Sequence, residues 1–359
     1  MIDTDPRIRR LLSALVDDQR IDVEVELSTL RSRRGGPSRV VTVAVALLVA
    51  AAAAFLLVRA FGQRTAVQPG EQSPSGTIAL SRLLDESEVN DDFQSVVFLV
   101  KADGTGLRPF LELPEPALGA EWSPDGSEVA FVRTTELGTA DLLAVLSEGS
   151  GELRLTEGRK VNDLDWSPDS EELLVTFGGE NSGVSVIGIN GGERVLLDEP
   201  FDYADWSPDG RAIALSGVGD GDTPDLYIAR ADGTGLERIP TGNLLEQSVA
   251  WSPDGQRLAF WAFSDDFQDS DVYIVNADGT GLARLTDWEG LDAMPVWSPD
   301  GEWIAFASDR DLTQEQRREN QRTGGRVGVS LYVMRADGSD VRKLVDGDDR
   351  AAVPTSWRP

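Results

Sequence analysis

Residues 76–359 consist of short apolar runs separated by turn residues. A representative stretch contains four such runs, at residues 248–251, 257–263, 271–276 and 282–285. Each run is rich in β-branched or aromatic residues and ends at Gly, Pro, Asp or Ser, which is typical of β-strands. The run at 257–263 is almost continuously apolar, so we predict a strand that is buried on both faces.

One phrase, Trp-Ser-Pro-Asp-Gly, recurs along this region. The phrase is complete at Trp122, Trp206, Trp251 and Trp297 and ends in Ser in the copy at Trp166. A truncated copy at Trp357 ends the chain. The spacings between successive tryptophans are 44, 40, 45, 46 and 60 residues, as in four-stranded propeller blades. Pro presets φ, Asp bonds nearby amides and Gly accepts positive φ, so we expect the phrase to form a tight turn.

A second phrase, Ala-Asp-Gly-Thr-Gly, occurs at residues 102–106, 231–235 and 277–281. Together, the phrases and strands resemble the TolB-type, WD40-like (PD40) β-propeller repeat. The resemblance is carried by WSPDG at 297–301, IAF at 304–306, LYVMRADG at 331–338 and RLT at 284–286. It covers residues 76–359 and implies a propeller fold. It implies less about function, because propellers host many unrelated activities.

The two ends of the repeat region complement each other. Residues 78–81, 96–101 and 107–111 match the second, third and fourth strands of a repeat, whereas residues 353–357 match a first strand without a blade. Joining them would hide the last exposed strand edges. We therefore predict an all-β, six-bladed β-propeller whose C-terminal strand closes the first blade.

The segment before the repeats has a different pattern. Residues 40–58 are nineteen residues without a charge, long enough for a transmembrane helix. They are longer than the apolar part of a signal peptide and lie farther from the N-terminus, so we favour an uncleaved anchor over a cleaved leader. Arginines concentrate before the span, so we predict a cell-membrane, single-pass protein with a cytoplasmic N-terminus and an extracytoplasmic propeller.

This organisation gives four segments: a cytoplasmic segment at 1–39, the transmembrane helix at 40–58, a linker at 59–75 and the propeller at 76–359. Within the first segment, Ile8, Leu11, Leu12 and Leu15 share one helical face, so we expect a short amphipathic helix. This N-terminal segment, with its arginines and the span that follows, is similar to that of membrane-tethered anti-sigma factors. The zinc-binding form of those proteins uses His and Cys ligands, and this chain has neither residue type. A cytoplasmic regulator at residues 1–38 and a plain anchor remain alternatives.

Composition excludes several kinds of chemistry. The chain has no Cys and no His, so it holds no thiol nucleophile, no Ser-His-Asp triad and no zinc site with S or N ligands. The net charge is -29, which argues against nucleic acid as a partner. No catalytic domain follows the propeller in this chain. We therefore predict no catalytic residue and a protein that is not an enzyme.

Acidic residues precede three of the repeat tryptophans: Glu121, Asp165 and Asp205. They fall on consecutive innermost strands, so we expect them to meet at the central channel, where proximity would raise a carboxyl pKa. A long insertion at 309–328 adds Arg317 and Arg318, and its composition favours a solvated loop over a mobile lid or a partner contact. These five residues are the candidate ligand-binding set.

The sequence predicts no cofactor and assigns no metal ligands. Asp-rich loops at 85–92, 220–225 and 265–271 would suit Ca²⁺, but they lack the spacing of an EF-hand, and solvated acidic loops explain them as well. The primary functional hypothesis is a membrane-tethered propeller that binds an envelope protein, peptide or glycan. The alternatives are a transmembrane sensor whose cytoplasmic helix binds a transcription factor, and a carboxylate-based hydrolase.

Overall fold

A computed structural model describes ten stretches of the chain: residues 73–83, 95–113, 117–134, 140–146, 150–218, 223–242, 244–263, 269–323, 328–347 and 351–359. The predicted cytoplasmic segment at 1–39, the predicted span at 40–58 and almost all of the predicted linker lie outside them. Among the described residues, no helix is both long enough and apolar enough to cross a membrane.

The described residues form six four-stranded antiparallel sheets. The first two blades comprise β1 (Thr77–Leu83), β2 (Ser95–Lys101) and β3 (Arg108–Leu113), then β4 (Ala117–Trp122), β5 (Glu128–Thr134), β6 (Ala140–Leu146) and β7 (Leu153–Arg154). The third and fourth comprise β8 (Lys160–Trp166), β9 (Glu172–Gly178), β10 (Gly183–Gly188) and β11 (Glu193–Leu197), then β12 (Phe201–Trp206), β13 (Ala212–Gly217), β14 (Asp225–Arg230) and β15 (Glu237–Ile239). The last two comprise β16 (Leu245–Trp251), β17 (Arg257–Phe263), β18 (Ser270–Asn276) and β19 (Ala283–Arg284), then β20 (Asp292–Trp297), β21 (Trp303–Ser308), β22 (Ser330–Arg335) and β23 (Arg342–Val345).

The final strand, β24 (Ala351–Arg358), belongs to the first blade. It pairs antiparallel with β1, with Ile78 opposite Trp357 and Ser81 opposite Val353. The Trp357 indole N–H also donates to the Ser75 carbonyl at 2.8 Å. The strand order is β24-β1-β2-β3, which confirms the predicted six-bladed propeller and its closure by the C-terminal strand.

Apolar clusters fill the spaces between neighbouring blades. Six clusters join successive blades around the ring, and one of them joins the sixth blade to the first through Trp303, Leu331, Ile78 and Trp357. The second strands lie at the centre of these contacts: every residue of β21 is buried, and so are the five central residues of β17. Both faces of these strands pack on protein, as their continuous apolar sequence predicts.

The Trp-Ser-Pro-Asp-Gly phrases form the predicted turns between first and second strands. In the copy at 297–301, the Ser298 hydroxyl donates to Asp300 Oδ1 at 2.5 Å, and Asp300 Oδ1 accepts the Glu302 N–H at 3.0 Å. Gly301 has φ +70°. The variant copy places Ser170 at the same position with φ +62°, a conformation that costs a non-glycine residue free energy. The phrase Asp is therefore a turn residue.

The innermost strands are irregular at their centres. The pairing register shifts within each of them, for example between Leu118 and Glu121 and between Gln247 and Ala250. In three blades the residue three positions before the phrase Trp takes positive φ; these residues are Gly119 (φ +58°), Ser248 (φ +55°) and Met294 (φ +54°). Such β-bulges bend a strand and re-aim its side chains.

The blade-six insertion carries helix α1 (Gln314–Thr323), where the sequence favoured a solvated loop. Its start is a capping arrangement, because the Thr313 N–H donates to Gln316 Oε1 at 3.0 Å and the Gln316 N–H donates to the Thr313 hydroxyl at 3.3 Å. Arg317 of α1 stacks on the Trp288 ring, with 5.3 Å between guanidinium carbon and ring centroid. The helix is therefore attached to the propeller.

The substitution Phe260→Ala tests the packing between blades. Phe260 is fully buried in a cluster that also contains Ala214 and Leu226 of the preceding blade. We expect the free energy of unfolding to fall by about 3–5 kcal/mol, because a large cavity opens between two blades. Urea denaturation followed by circular dichroism measures it.

The matched control is Leu153→Ala on an outer strand, where the side chain is 43% exposed. We expect a change below about 0.5 kcal/mol there. Equal losses from the two substitutions would contradict the account of inter-blade packing.

Candidate functional site

The six innermost strands surround a central cavity of about 660 Å³. Its lining comes from β4, β8, β12, β16, β20 and β24, so every blade contributes. Ser123, Pro124, Pro253 and Pro299 also line it. These residues belong to the Trp-Ser-Pro-Asp-Gly turns, and the cavity therefore reaches that face of the disc.

The carboxyls of the cavity lie in one half of it, and the other half has none. The residue directly before the phrase Trp is acidic in blades two, three and four, where it is Glu121, Asp165 or Asp205. Asp163 adds a fourth carboxyl on the same side. The equivalent positions in blades five, six and one are Ala250, Val296 and Ser356. The structure thus brings together the three acidic residues that the sequence predicted to meet.

Three of these carboxyls hold neighbouring blades together. Asp165 Oδ2 accepts the Trp206 N–H at 2.7 Å, and Asp205 Oδ2 accepts the Trp251 N–H at 2.5 Å. Asp163 Oδ2 accepts the Ala204 N–H at 3.1 Å. An innermost strand has no sheet partner on its inner side, and its inward N–H groups need acceptors. Asp163, Asp165 and Asp205 therefore use part of their hydrogen-bonding capacity to hold neighbouring blades together.

Crowding and burial change the protonation of the four carboxyls. Burial raises the pKa of Asp163 to about 8. Burial also raises the pKa of Glu121 well above its usual range, and the charge of Asp165 adds to this shift. Asp165 and Asp205 hydrogen-bond to each other, and burial raises the pKa of both. Like charges this close disfavour ionisation, so the cavity retains protons at neutral pH.

Basic groups hardly offset this acidity. Arg358 is the one basic side chain among the described residues that line the cavity, and its guanidinium stacks 3.7 Å from the Trp122 ring centroid. The side chain of Asp165 is only half-buried, as are those of Glu121, Asp163 and Asp205. They are covered on their flanks and open to the cavity.

The two candidate arginines lie elsewhere. Arg317 contacts Trp288 and donates to the Glu289 carbonyl, and Arg318 is exposed on α1. Neither lines the cavity. The structure therefore places Arg317 and Arg318 apart from the three acidic candidates. The ligand-binding role of each residue stays a prediction.

Arginines neutralise described aspartates of the Asp-rich loops. Asp225 pairs with Arg238 at 2.5 Å, and Asp271 pairs with Arg284 at 2.5 Å. Each pair joins a third strand to the fourth strand of its blade, so these two aspartates have a structural role. Most of the remaining loop residues lie outside the described stretches. Among the described residues, no cluster of three or more Asp or Glu side chains is arranged to hold a metal ion.

Sequence reasoning missed two features of the cavity. It did not include Asp163 among the candidates, although this carboxyl is part of the cluster and accepts the Ala204 N–H of β12. It also missed Ser81, which lines the cavity from β1. Bulges in the innermost strands decide which side chains face inward, and neither the repeat nor the apolar pattern reveals them.

Comparisons with known proteins point to one repeat family. A model of the TolB beta propeller domain (PD40) matches residues 243–327. A 202-residue stretch is 26% identical to the uncharacterized peptidase YuxL of Bacillus subtilis, over 53% of this chain and 28% of that protein. A 62-residue stretch is 39% identical to the Tol-Pal system protein TolB of Alcanivorax borkumensis, over 17% of this chain and 14% of that protein. The matched stretches span less than a third of either relative.

The fold is similar to that in the crystal structure of TolB from Acinetobacter baumannii. The TM-score is 0.61, over 80% of this chain and 68% of the other, at 19% sequence identity. At 19% sequence identity, the similarity shows a shared fold and nothing about function. The function has to be inferred from the residues of the site.

The likeness to YuxL contradicts one prediction. The absence of Cys, of His and of a following catalytic domain led us to predict that the chain is not an enzyme. A stretch of the chain is nevertheless similar to a protein that is named as a peptidase. The missing residue types exclude particular chemistries from this chain, but they do not exclude enzymes as a class.

The substitution Asp163→Asn tests the protonation of the cavity. The folded protein keeps the Asp163 proton up to about pH 8, whereas the unfolded chain releases it near 3.8. The unfolded state therefore binds fewer protons between these values, and the contribution of Asp163 to stability falls as pH rises. Asn has no such pH dependence and still accepts the Ala204 N–H.

We expect the variant to gain stability relative to the unsubstituted protein between pH 5 and pH 8. The gain should be at least about 1.4 kcal/mol, the value of one pKa unit. Urea denaturation at both pH values measures it. Glu157→Gln, whose side chain is 80% exposed, serves as control. A pH-independent difference for Asp163→Asn would contradict the raised pKa.

Proposed function

The chain carries a TolB-like β-propeller domain, and on that premise we propose a membrane-tethered, extracytoplasmic protein that binds a polypeptide segment of an envelope protein in its central cavity. The phrase-turn face forms the entrance, and the acidic half of the cavity provides the polar contacts. The observation that carries the proposal is the cavity itself, to which every blade contributes.

The dimensions and lining of the cavity support binding. Its volume of about 660 Å³ falls within the range of about 300–1,000 Å³ that is usual for ligand pockets. Trp251, Trp297, Val249 and Leu164 supply apolar and aromatic surface, and the carboxyl cluster supplies a small number of convergent polar groups. Pockets that bind organic ligands commonly combine these two features.

A polypeptide is the ligand class that the comparisons favour over a glycan. One relative is named as a peptidase and another as a protein of the Tol-Pal system. A peptidase must accommodate polypeptide chain, so a propeller repeat shared with it supports this ligand class. The match covers too little of either relative to transfer its activity or partner.

The membrane tether rests on the sequence. The apolar stretch at 40–58 and the arginines before it favour an anchor with the propeller outside. Residues 65–359 carry 23 basic and 55 acidic groups, and such a surface is repelled by anionic lipid. The propeller would therefore stand away from the membrane and face envelope components.

Peptide hydrolysis is a second candidate function. Asp165 and Asp205 are hydrogen-bonded carboxyls that share a raised pKa range, and paired carboxyls can act as acid and base on a bound peptide. Asp205→Asn would abolish cleavage of the polypeptide that is still captured, and mass spectrometry of the incubated ligand would reveal it. Cleavage that persists in this variant would exclude the pair as the catalytic group.

In-cell cross-linking tests the main proposal. We expect the full-length protein to capture an envelope polypeptide, identified by mass spectrometry. A variant that combines Glu121→Gln and Asp165→Asn should capture at least about tenfold less of this polypeptide. The matched control is Glu157→Gln with Asp287→Asn, whose side chains are 80% and 88% exposed and do not line the cavity, and it should leave capture unchanged.

Deletion of residues 1–38 separates the binding function from the sensor alternative. Equal capture of envelope polypeptide with and without this segment agrees with the proposal. A cytoplasmic regulator captured only by the full-length protein, without any envelope polypeptide, would contradict it and favour transmembrane signalling.

A further inference from the structure

The cavity holds more acidic groups than its surroundings neutralise. Glu121, Asp163, Asp165 and Asp205 occupy one side, whereas Arg358 stacks on the Trp122 ring. The described part of the chain thus provides one basic side chain at the cavity for four carboxyls. A positively charged ligand would balance the excess of carboxyls over basic side chains at the cavity.

A second observation, independent of the carboxyls, is an unsatisfied hydroxyl. Ser81 lines the same cavity from β1 and is only 5% exposed. Its Oγ has no hydrogen-bond partner, although buried polar groups are nearly always bonded. An unpaired hydroxyl of this kind costs free energy in the empty protein. A bound hydrogen-bonding group would remove that cost.

The spread of the acidic groups argues against a metal ion as the missing cation. Among the described residues, no three carboxyls converge closely enough to coordinate one. A primary ammonium group needs fewer converging oxygens, because it has three N–H donors and its bonds to oxygen, at about 2.7–2.9 Å, are longer than metal–oxygen bonds. The half of the cavity without carboxyls, with Met294, Pro295 and Val296, would then face the carbon chain beside the ammonium.

From these observations we propose that the cavity recognises the primary ammonium group of a polypeptide, with the carboxyl cluster and Ser81 as its acceptors. This inference rests on the proposed function and names the chemical group that is bound. Two groups of a polypeptide have this chemistry, the free α-amino terminus and the lysine side chain. The acidic half binds the charge, and the opposite half contacts the neighbouring aliphatic atoms.

Binding of an ammonium group should release protons. Entry of a cation favours the ionised form of the carboxyls, whereas burial raises the pKa of Asp163 to about 8 and that of Glu121 well above its usual range. The titratable groups that face the site are Glu121 from β4, Asp163 and Asp165 from β8, Asp205 and Tyr203 from β12, and Arg358 from β24. The described lining of β16 and β20 contributes none. Affinity for a lysine side chain should therefore rise between pH 6 and pH 8, whereas an α-amino group begins to lose its own proton in this range.

Calorimetric titration of the full-length protein tests this inference with three peptide probes. The first is a Leu-Ala-Gly amide with a free α-amino group. The second is its N-acetylated form, and the third is an N-acetylated Leu-Lys-Gly amide. We expect at least one amine-bearing probe to bind with proton release, detected by comparing two buffers of different ionisation enthalpy, and about tenfold more tightly than the blocked probe. The first and third probes distinguish an α-amino group from a lysine.

Two variants locate the binding. Glu121→Gln should weaken the amine-bearing probe by about tenfold, because it replaces a charged acceptor by a neutral one. Ser81→Ala should weaken it as well, to a smaller extent. Asp287→Asn, whose side chain is 88% exposed, should have no effect. The comparison of probes requires no variant, so a misfolded variant does not remove the test.

Equal affinity for the blocked and free peptides, or no binding of either amine-bearing probe, would overturn the inference. Capture of an envelope polypeptide through the cavity, combined with either result, would leave the proposed function standing. Loss of both capture and probe binding would overturn the two together.

Discussion

The structure depends on one constraint: each blade has a second strand that is apolar on both faces. A residue such as Phe260 or Phe306 is fully buried because blades lie on both sides of its strand. No blade can end the stack without exposing apolar surface and an unpaired edge. Pairing of β24 with β1 resolves this constraint, because the last strand of the chain completes the first blade and lets the sixth blade pack on it.

Closure also creates the site. The innermost strands meet around an axis with their inner N–H groups unpaired by any sheet, and Asp163, Asp165 and Asp205 accept three of these groups. Stability and binding capacity therefore share the same side chains. As a consequence, the carboxyls are buried and crowded together, and the pKa values of Asp163 and Asp205 are raised. A cationic ligand would relieve this crowding, which links the architecture to the proposed recognition.

The repeats revealed most of the fold, because each turn phrase marks a local requirement that a sequence displays directly. Pro, Asp and Gly fix the turn, and the apolar run after them fixes a buried strand. The meeting of Glu121, Asp165 and Asp205 was also predictable from their repeat position. The positive φ values of Ser248 and Met294, the unpaired Ser81 hydroxyl and the attachment of α1 through Trp288 were not. They arise from contacts between distant segments, which a single sequence does not display.

Disulfide trapping of the ring closure tests the central claim most directly, because the chain has no Cys of its own. Ala79 lies opposite Ser356 across the closing pair of strands, and Ala214 lies opposite Ile228 within blade four. Directly opposed residues of antiparallel strands have the Cα separation that a disulfide needs. We predict that Ala79→Cys with Ser356→Cys oxidises as readily as the control pair Ala214→Cys with Ile228→Cys, as seen in non-reduced tryptic peptides. A disulfide in the control alone would contradict the closed ring.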